Sequence, residues 1–305
     1  MENKITINPR PAKIRILNCL MQIGPFVCTC FLCSYYGLFT FGEFFKLLFS
    51  LYTIPVIILN VLAIYLPNRI VYPKIEAFDG SDASTDECNA IANKYSSINI
   101  GLTIGLIALY PVAMWLAARG KVETFQFLPY FLTHVGSGCL VAVFIYIRWL
   151  ESYEAWLSFL PLHSGNMGLS IVARYMAVIA VLMVGTFFLI AGPAFATKLH
   201  SMPVKQFVTN LILPLMLGGV VFILLGMYSI TSGIKGRLDR ITYMAGNISQ
   251  GDYTGKPLTI ESRDELGVLT GRLNRFHKTT HDILNGIKGN ISDNNRVAVE
   301  LESNM

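Results

Sequence analysis

Six runs of mostly apolar residues, each long enough to cross a bilayer, constrain this chain more than any other feature. They cover residues 16–39, 44–66, 98–118, 125–150, 171–196 and 207–230. A spanning helix needs roughly 20 such residues. Within lipid the backbone must satisfy its own hydrogen bonds, and for runs of this length the helix does so. The first two runs are joined tightly near residues 40–43, and the third and fourth near 119–124, so each pair reads as a helical hairpin. The predicted fold class is all-α, with a six-helix transmembrane bundle over residues 1–231. Charged residues make up only 14% of the chain, against about 25% in a soluble domain. They crowd into the last quarter, which places one part in lipid and another in water.

Lysine and arginine beside the spans set the orientation. With the N-terminus inside, Lys4, Arg10, Lys13, Arg15, Arg69, Lys74, Lys94, Arg148, Arg174, Lys235 and Arg237 lie inside. Lys46, Arg119, Lys121, Lys198 and Lys205 lie outside. The bias predicts an inner-membrane, multi-pass protein with both termini cytoplasmic. The first run is too long for a cleaved signal and lacks a small-x-small site, so it reads as an anchor. Residues 67–97 hold Asp79, Gly80, Asp82, Asp86 and Glu87 and are expected to form a long, solvated loop. The outer connections are short, so no external ligand-binding domain is expected. A stimulus would be read in the membrane, at its faces, or through a partner.

The net charge of +5 belongs to span flanks. No basic patch interleaved with aromatics points to nucleic acid. Five of the six cysteines lie in apolar runs, which argues against a disulfide framework. Prolines stand in nearly every run, at Pro25, Pro55, Pro111, Pro129, Pro193 and Pro214, and predict ordinary kinks, with pivoting as the functional alternative. Asn60, Asn99 and Asn210 are expected to bond between helices. Arg148 and Arg174 are expected to snorkel from span ends.

After Ser232 the pattern changes to charges of both signs around a narrow apolar seam. Ile234, Leu238, Ile241, Ala245 and Ile248 step by four, three, four and three, a heptad rhythm. Gly251-Asp252, Gly255 and Pro257 interrupt it. A second seam runs through Leu266, Leu269, Leu273 and Phe276, then more weakly through Thr280, Ile283, Ile287, Asn290, Asn294, Val297 and Leu301. Short helices with such narrow seams are marginal alone. A parallel homodimer forming a four-helix bundle would complete them. Asp264 and Glu265 stand where carboxylates cap a helix N-terminus. Gly251 stands where a left-handed turn is wanted.

These residues resemble the HAMP linker family over 232–280. Gly251-Asp252-Tyr253 is similar to its Gly-Asp-Leu turn. Leu258 and Ile260 lie at the connector hydrophobes, and Asp264-Glu265-Leu266-Gly267 is similar to the Asp-Glu-x-Gly signature opening the second helix. Leu269, Leu273, Asn274 and Phe276 continue the pattern. Arg237 stands where the family usually has proline. The resemblance implies signal relay through Ile234, Leu238, Ile241, Ala245, Ile248, Gly251, Asp264, Glu265, Gly267, Leu269, Leu273 and Phe276. In a sharper form, Glu265 bonds to the partner's first helix in one state only. It further implies a receptor that passes a conformational signal to a cytoplasmic output, here one resembling a methyl-accepting chemotaxis protein. The alternative is the sensor of a HAMP-linked nucleotide cyclase or phosphatase. His277 to His281 lack the His-Glu-x-x-x-Pro arrangement of a kinase phosphoacceptor, and residues 281–305 read as the start of a signalling coiled coil. The sequence stops in mid-helix at Met305, so a longer protein that binds cytoplasmic signalling proteins through its missing part is expected.

No catalytic site, cofactor or metal site is expected. Cys28, Cys30 and Cys33 read as packing residues, with redox or metal sensing as the alternative. His134 is either a neutral histidine bonded to a neighbouring helix or a sensor of ligand or protons. His163, Glu151 and Glu154 lack zinc spacing. A transporter would call for inverted repeats and midplane polar residues, and no repeat is evident.

Overall fold

The computed structural model describes residues 9–122, 125–162, 164–196, 202–303 and 305, all helix, turn or coil with no strand among them. Six helices are long and apolar enough to cross a membrane: Ala12–Tyr35, Ile54–Glu76, Asp82–Ala118, Phe127–Phe159, Ile171–Ala194 and Val204–Ser249. The chain reads as a multi-pass membrane protein.

Helix α1 (Ala12–Tyr35) ends at Gly37, whose φ of 64° turns the chain back. The second apolar run does not form one helix. Thr40 and Glu43 make a reciprocal capping box that starts the short α2 (Phe41–Leu48). The chain then breaks at residues 49–53, where the Thr53 hydroxyl lies 2.7 Å from the Leu48 carbonyl oxygen. Helix α3 (Ile54–Leu66) follows, with Pro55 in its first turn, where no N–H is needed. A π turn (Pro67–Val71) leads on into α4 (Tyr72–Glu76).

The expected loop over 67–97 is therefore corrected: only residues 77–81 are non-helical there. The Asp79-Gly80-Ser81 cluster is a turn followed by an N-cap, since the Ser81 Oγ accepts the Ser84 N–H at 3.2 Å. Helix α5 (Asp82–Ala118) has 37 residues, so at 1.5 Å per residue it is ~55 Å long and overshoots a ~30 Å bilayer core. Its polar first turns are helix in water, and their polarity looks like a loop when read without periodicity.

Helix α6 (Phe127–Trp156) is the hub. Its apolar stretch is 67% buried, against 44% or less in the other five. Small residues let its neighbours close in. A Cβ on Gly136 would meet the Gly185 carbonyl oxygen of α7 (Ile171–Ala194) at 2.8 Å, and one on Gly138 would meet Ile107 of α5 at 2.8 Å. The last span begins as α8 (Val204–Phe207), passes a π turn (Val208–Ile212), and becomes α9 (Leu213–Ser249). The π turn lies where Pro214 would clash with the carbonyl four residues back. That carbonyl, of Asn210, accepts the Tyr35 hydroxyl at 3.3 Å.

The asparagines named above do not bridge helices through their side chains. Asn60 donates to Val56 of its own helix. The Asn99 amide nitrogen has no partner among the described residues, and Asn210 pairs with the adjacent Thr209. Instead, Gln22 donates to Thr103 at 2.8 Å and Thr29 meets Ser137 at 2.9 Å. At one end of the bundle Tyr72, Tyr95, Trp149, Tyr153 and Trp156 form a buried aromatic cluster. Arg10 lies over the Tyr72 ring at 4.0 Å. The start of the described chain therefore sits at the end where α4 finishes, α5 begins and α6 finishes.

Candidate functional site

Helix α9 runs unbroken from the last span through Ser232 to Ser249. It stops at Gly251, whose φ of 81° suits glycine alone among common residues. The Gly251 N–H bonds the Ile248 carbonyl and the Asp252 N–H bonds the Asn247 carbonyl, both at 3.0 Å. Asp252 then accepts the Thr254 hydroxyl and N–H at 2.7 and 2.9 Å, which holds its carboxyl below the usual range. Asn274, on the last helix, α10 (Glu265–Ser303), grips the extended connector like a neighbouring strand. It donates to the Leu258 carbonyl at 2.7 Å and accepts the Leu258 N–H at 2.8 Å. Arg240 of α9 pairs with Glu261.

The connector ends in a buried triplet, Ser262, Arg263 and Asp264. Asp264 Oδ1 accepts the Ser262 hydroxyl at 2.7 Å, the Leu266 N–H at 3.1 Å and the Gly267 N–H at 3.3 Å, and so caps α10. Gly267 must lack a side chain, because a Cβ there would overlap the Ser262 carbonyl. The triplet also reaches into the membrane bundle. Arg263 donates from Nη1 to the Leu157 carbonyl at 3.3 Å, and its own carbonyl accepts the Gly168 N–H at 2.8 Å. Burial lowers the pKa of its guanidinium. Glu265 Oε2 accepts the Ile171 N–H at 2.8 Å. Glu265 thus caps α7, not only its own helix, and this contact holds its carboxyl below the usual range.

Charges complete the junction. Arg174 Nη2 lies 2.7 Å from Glu154 Oε1, and its Nη1 lies 3.8 Å from Asp264 Oδ2. Arg237 Nη1 lies 3.7 Å from the same oxygen. The snorkelling expected of Arg174 is corrected: its side chain is only 18% exposed and is spent on two carboxylates. Arg148 keeps an exposed head, 3.2 Å from Glu151. Arg237 of α9 and Arg174 of α7 thus share one oxygen of Asp264. Above this floor lies a cavity of about 280 Å³ between α5, α6, α7 and α9.

The seam residues divide. Ile241 and Ile248 are buried with Met244, and Gly267 is buried with Thr270 and His277. Ile234 and Leu273 are half-buried, with Ile234 lining the cavity. Leu238 (47% exposed), Leu269 (45%), Phe276 (55%) and Ala245 face outward. Beyond Thr280, α10 touches little, and Ile283, Ile287, Val297 and Leu301 are exposed.

His134 is fully buried among the rings of Phe26, Tyr110 and Tyr130. Neither ring nitrogen bonds a described residue, so the expected bond to a neighbouring helix is absent. Cys30 and Cys33 are buried in a core with Tyr36 and Tyr130, and Cys28 is half-buried. No group of three or more His, Cys, Asp or Glu is placed for a metal among the described residues. His163, Lys4 and Lys198 lie outside those residues.

Sequence reasoning missed Arg174, Glu154, Arg237 and Arg263 as parts of one site. The available signal was charge kept at the ends of two consecutive spans, joined by a loop too short to carry it far from the bundle. No family model, curated protein or solved structure matches the chain.

Proposed function

We propose that this chain is a transmembrane signalling receptor of the chemotaxis type, in which the six-span bundle drives a HAMP-type relay toward a cytoplasmic output. The observation that carries the reading is the double attachment of the tail. One attachment is covalent and rigid, through α9, which continues from the membrane span. The other is the clamp of residues 263–265 on the α6–α7 ends. Movement of α7 against α9 then changes the strain on the connector and the packing of α10 on α9. Packed interfaces respond to such strain by switching between discrete arrangements. A stimulus acts by preferring one of them.

The outward stripe of Leu238, Leu269 and Phe276 fits a second copy of the tail, giving a homodimeric four-helix bundle. Single cysteines placed in membranes test this. Leu238→Cys and Phe276→Cys should crosslink between copies, whereas Ile241→Cys, buried within one chain, should not. Monomers at every outward position would refute the dimeric relay.

A further inference from the structure

We infer that the cavity between α5, α6, α7 and α9 binds a single-chain aliphatic acid, whose carboxylate replaces Asp264 on Arg237 and so loosens the connector. The inference rests on the relay reading for its consequence, but not for the site itself.

The walls are apolar, formed by Ile104, Val143, Ile147, Val178, Val181 and Ile230. The floor is the junction, where Glu151, Glu154, Arg174, Arg237 and Asp264 also line the cavity. From Val143 to Glu154 α6 rises 11 residues, which is ~16 Å at 1.5 Å per residue. An extended chain advances ~1.2 Å per backbone bond, so that depth suits about a dozen carbons. The volume of about 280 Å³ falls just below the usual range for small-molecule pockets, roughly 300–1,000 Å³, and so suits one acyl chain better than two.

The head group follows from which atoms lack partners. Arg237 makes no hydrogen bond to any described residue, only the 3.7 Å ion pair with Asp264 Oδ2. Arg263, which does not itself line the cavity, has Nε and Nη2 buried without partners among the described residues just behind the floor. Glu154 is held by Arg174 at 2.7 Å and Glu151 by Arg148 at 3.2 Å. With both glutamates of the floor already paired, the uncommitted donors facing the cavity are those of Arg237, and a carboxylate is the acceptor that a planar guanidinium binds best. Both Asp264 Oδ2 pairs, at 3.7 and 3.8 Å, are too long to be hydrogen bonds, so an arriving carboxylate displaces weak contacts. Asp264 keeps its capping bonds through Oδ1. Helix α10 therefore stays formed and the connector keeps its Glu265–Ile171 and Arg240–Glu261 contacts, while the Asp264 link that joins it to Arg237 of α9 is released.

The test uses the full chain in nanodiscs of neutral phosphatidylcholine, with dodecanoate, dodecanol and acetate as probes, read by calorimetric titration. A second readout is the distance between spin labels at Val172 and Leu269. Dodecanoate should bind saturably, and dodecanol and acetate at least tenfold more weakly. Arg237→Gln should weaken dodecanoate by about ten- to a hundredfold, the cost of one charge-assisted hydrogen bond. Gly101→Phe fills the cavity from a position where a Cβ meets nothing within 4 Å, and should abolish binding without touching the floor. Adding phosphatidylglycerol should not compete. Equal binding of dodecanol and dodecanoate, dodecanoate affinity unchanged in both variants, or competition by phosphatidylglycerol would each overturn the inference. Saturable, Arg237-dependent binding with no change in label distance upholds the acid site and refutes the relay reading. Label movement on mutating Asp264, with no dodecanoate binding, upholds the relay and overturns the acid site.

Discussion

Two glycines four residues apart on α10 give opposite expectations for the same change. At Gly271 an added Cβ would meet Ile260 Cδ1 at 3.5 Å and the Leu162 carbonyl at 3.6 Å, which are ordinary contacts. Gly271→Ala should therefore stabilise the tail by up to about 1 kcal/mol, the helix-propensity difference. At Gly267 the Cβ would overlap the Ser262 carbonyl and lie 2.9 Å from Leu162 Cδ2. The carbonyl belongs to backbone and cannot rotate away, so the connector must move. Overpacking costs about 1–3 kcal/mol. The shift also strains the Asp264 cap and the 2.8 Å Gly168–Arg263 bond, each worth about 1 kcal/mol. Against the propensity gain, a net loss of about 2–4 kcal/mol of docking remains. Protease cleavage of the connector in detergent, which follows the open fraction when closing is fast, should rise for Gly267→Ala and fall for Gly271→Ala. Equal cleavage of the two variants would refute the argument that close backbone approach fixes residue 267.

Removing one partner of a buried ion pair costs about 3–5 kcal/mol, so Arg174→Met should lower the melting temperature well below that of Arg148→Met, whose own side chain is exposed and whose partner Glu151 is only half-buried. Adding Glu154→Gln to Arg174→Met should recover part of the loss, and a strictly additive pair would deny the coupling. The Ile171 N–H holds the Glu265 carboxyl below its ordinary 4.5. Its contribution to docking is complete above pH 4.5 and fades as pH falls through the lowered value. Connector cleavage should therefore rise in acid, with a smaller acid rise in Glu265→Gln. Tyr35→Phe should cost about 1 kcal/mol by orphaning the Asn210 carbonyl that Pro214 frees; no change in melting would mean that another group satisfies it.

The six spans are legible because lipid leaves helix as the solution for long apolar runs, and the tail helices because their heptad rhythm is one-dimensional. Boundaries fare worse where polarity and helix coexist. Residues 82–97 look like loop, yet Ser81 caps a helix that continues in water. The run at 44–66 looks continuous, yet the Thr40–Glu43 box and Thr53 make two helices of it. Asp264, Glu265 and Gly267 are legible as a capping signature because cap chemistry is local. That Glu265 caps α7 is not, since its acceptor geometry depends on a helix 94 positions away in sequence. The 90 positions between Arg174 and Asp264 likewise hide the Arg174–Glu154–Asp264 set. Each residue has a plausible local role at a span end, and only the folding of the connector beneath α6 and α7 joins them.

Under the proposed relay, Arg237 is the residue through which the junction would transmit a small movement. It sits on α9 about two turns beyond Ile230 and holds the carboxylate that Arg174 holds from α7. A proline there would fix the backbone and offer no charge. An arginine leaves α9 straight and couples it to α7 through one shared oxygen. The two guanidiniums repel each other and are kept together by Asp264, so any shift of α7 along α9 that lengthens one pair shortens or strains the other. At effective dielectric ~20, a unit-charge pair opened from ~4 to ~8 Å loses roughly 2 kcal/mol. That is enough to move a balanced two-state equilibrium by more than tenfold. In the proposed relay, coupling of this kind would need no contact between a stimulus and the tail, because the carboxylate at the head of α10 pairs with both helices.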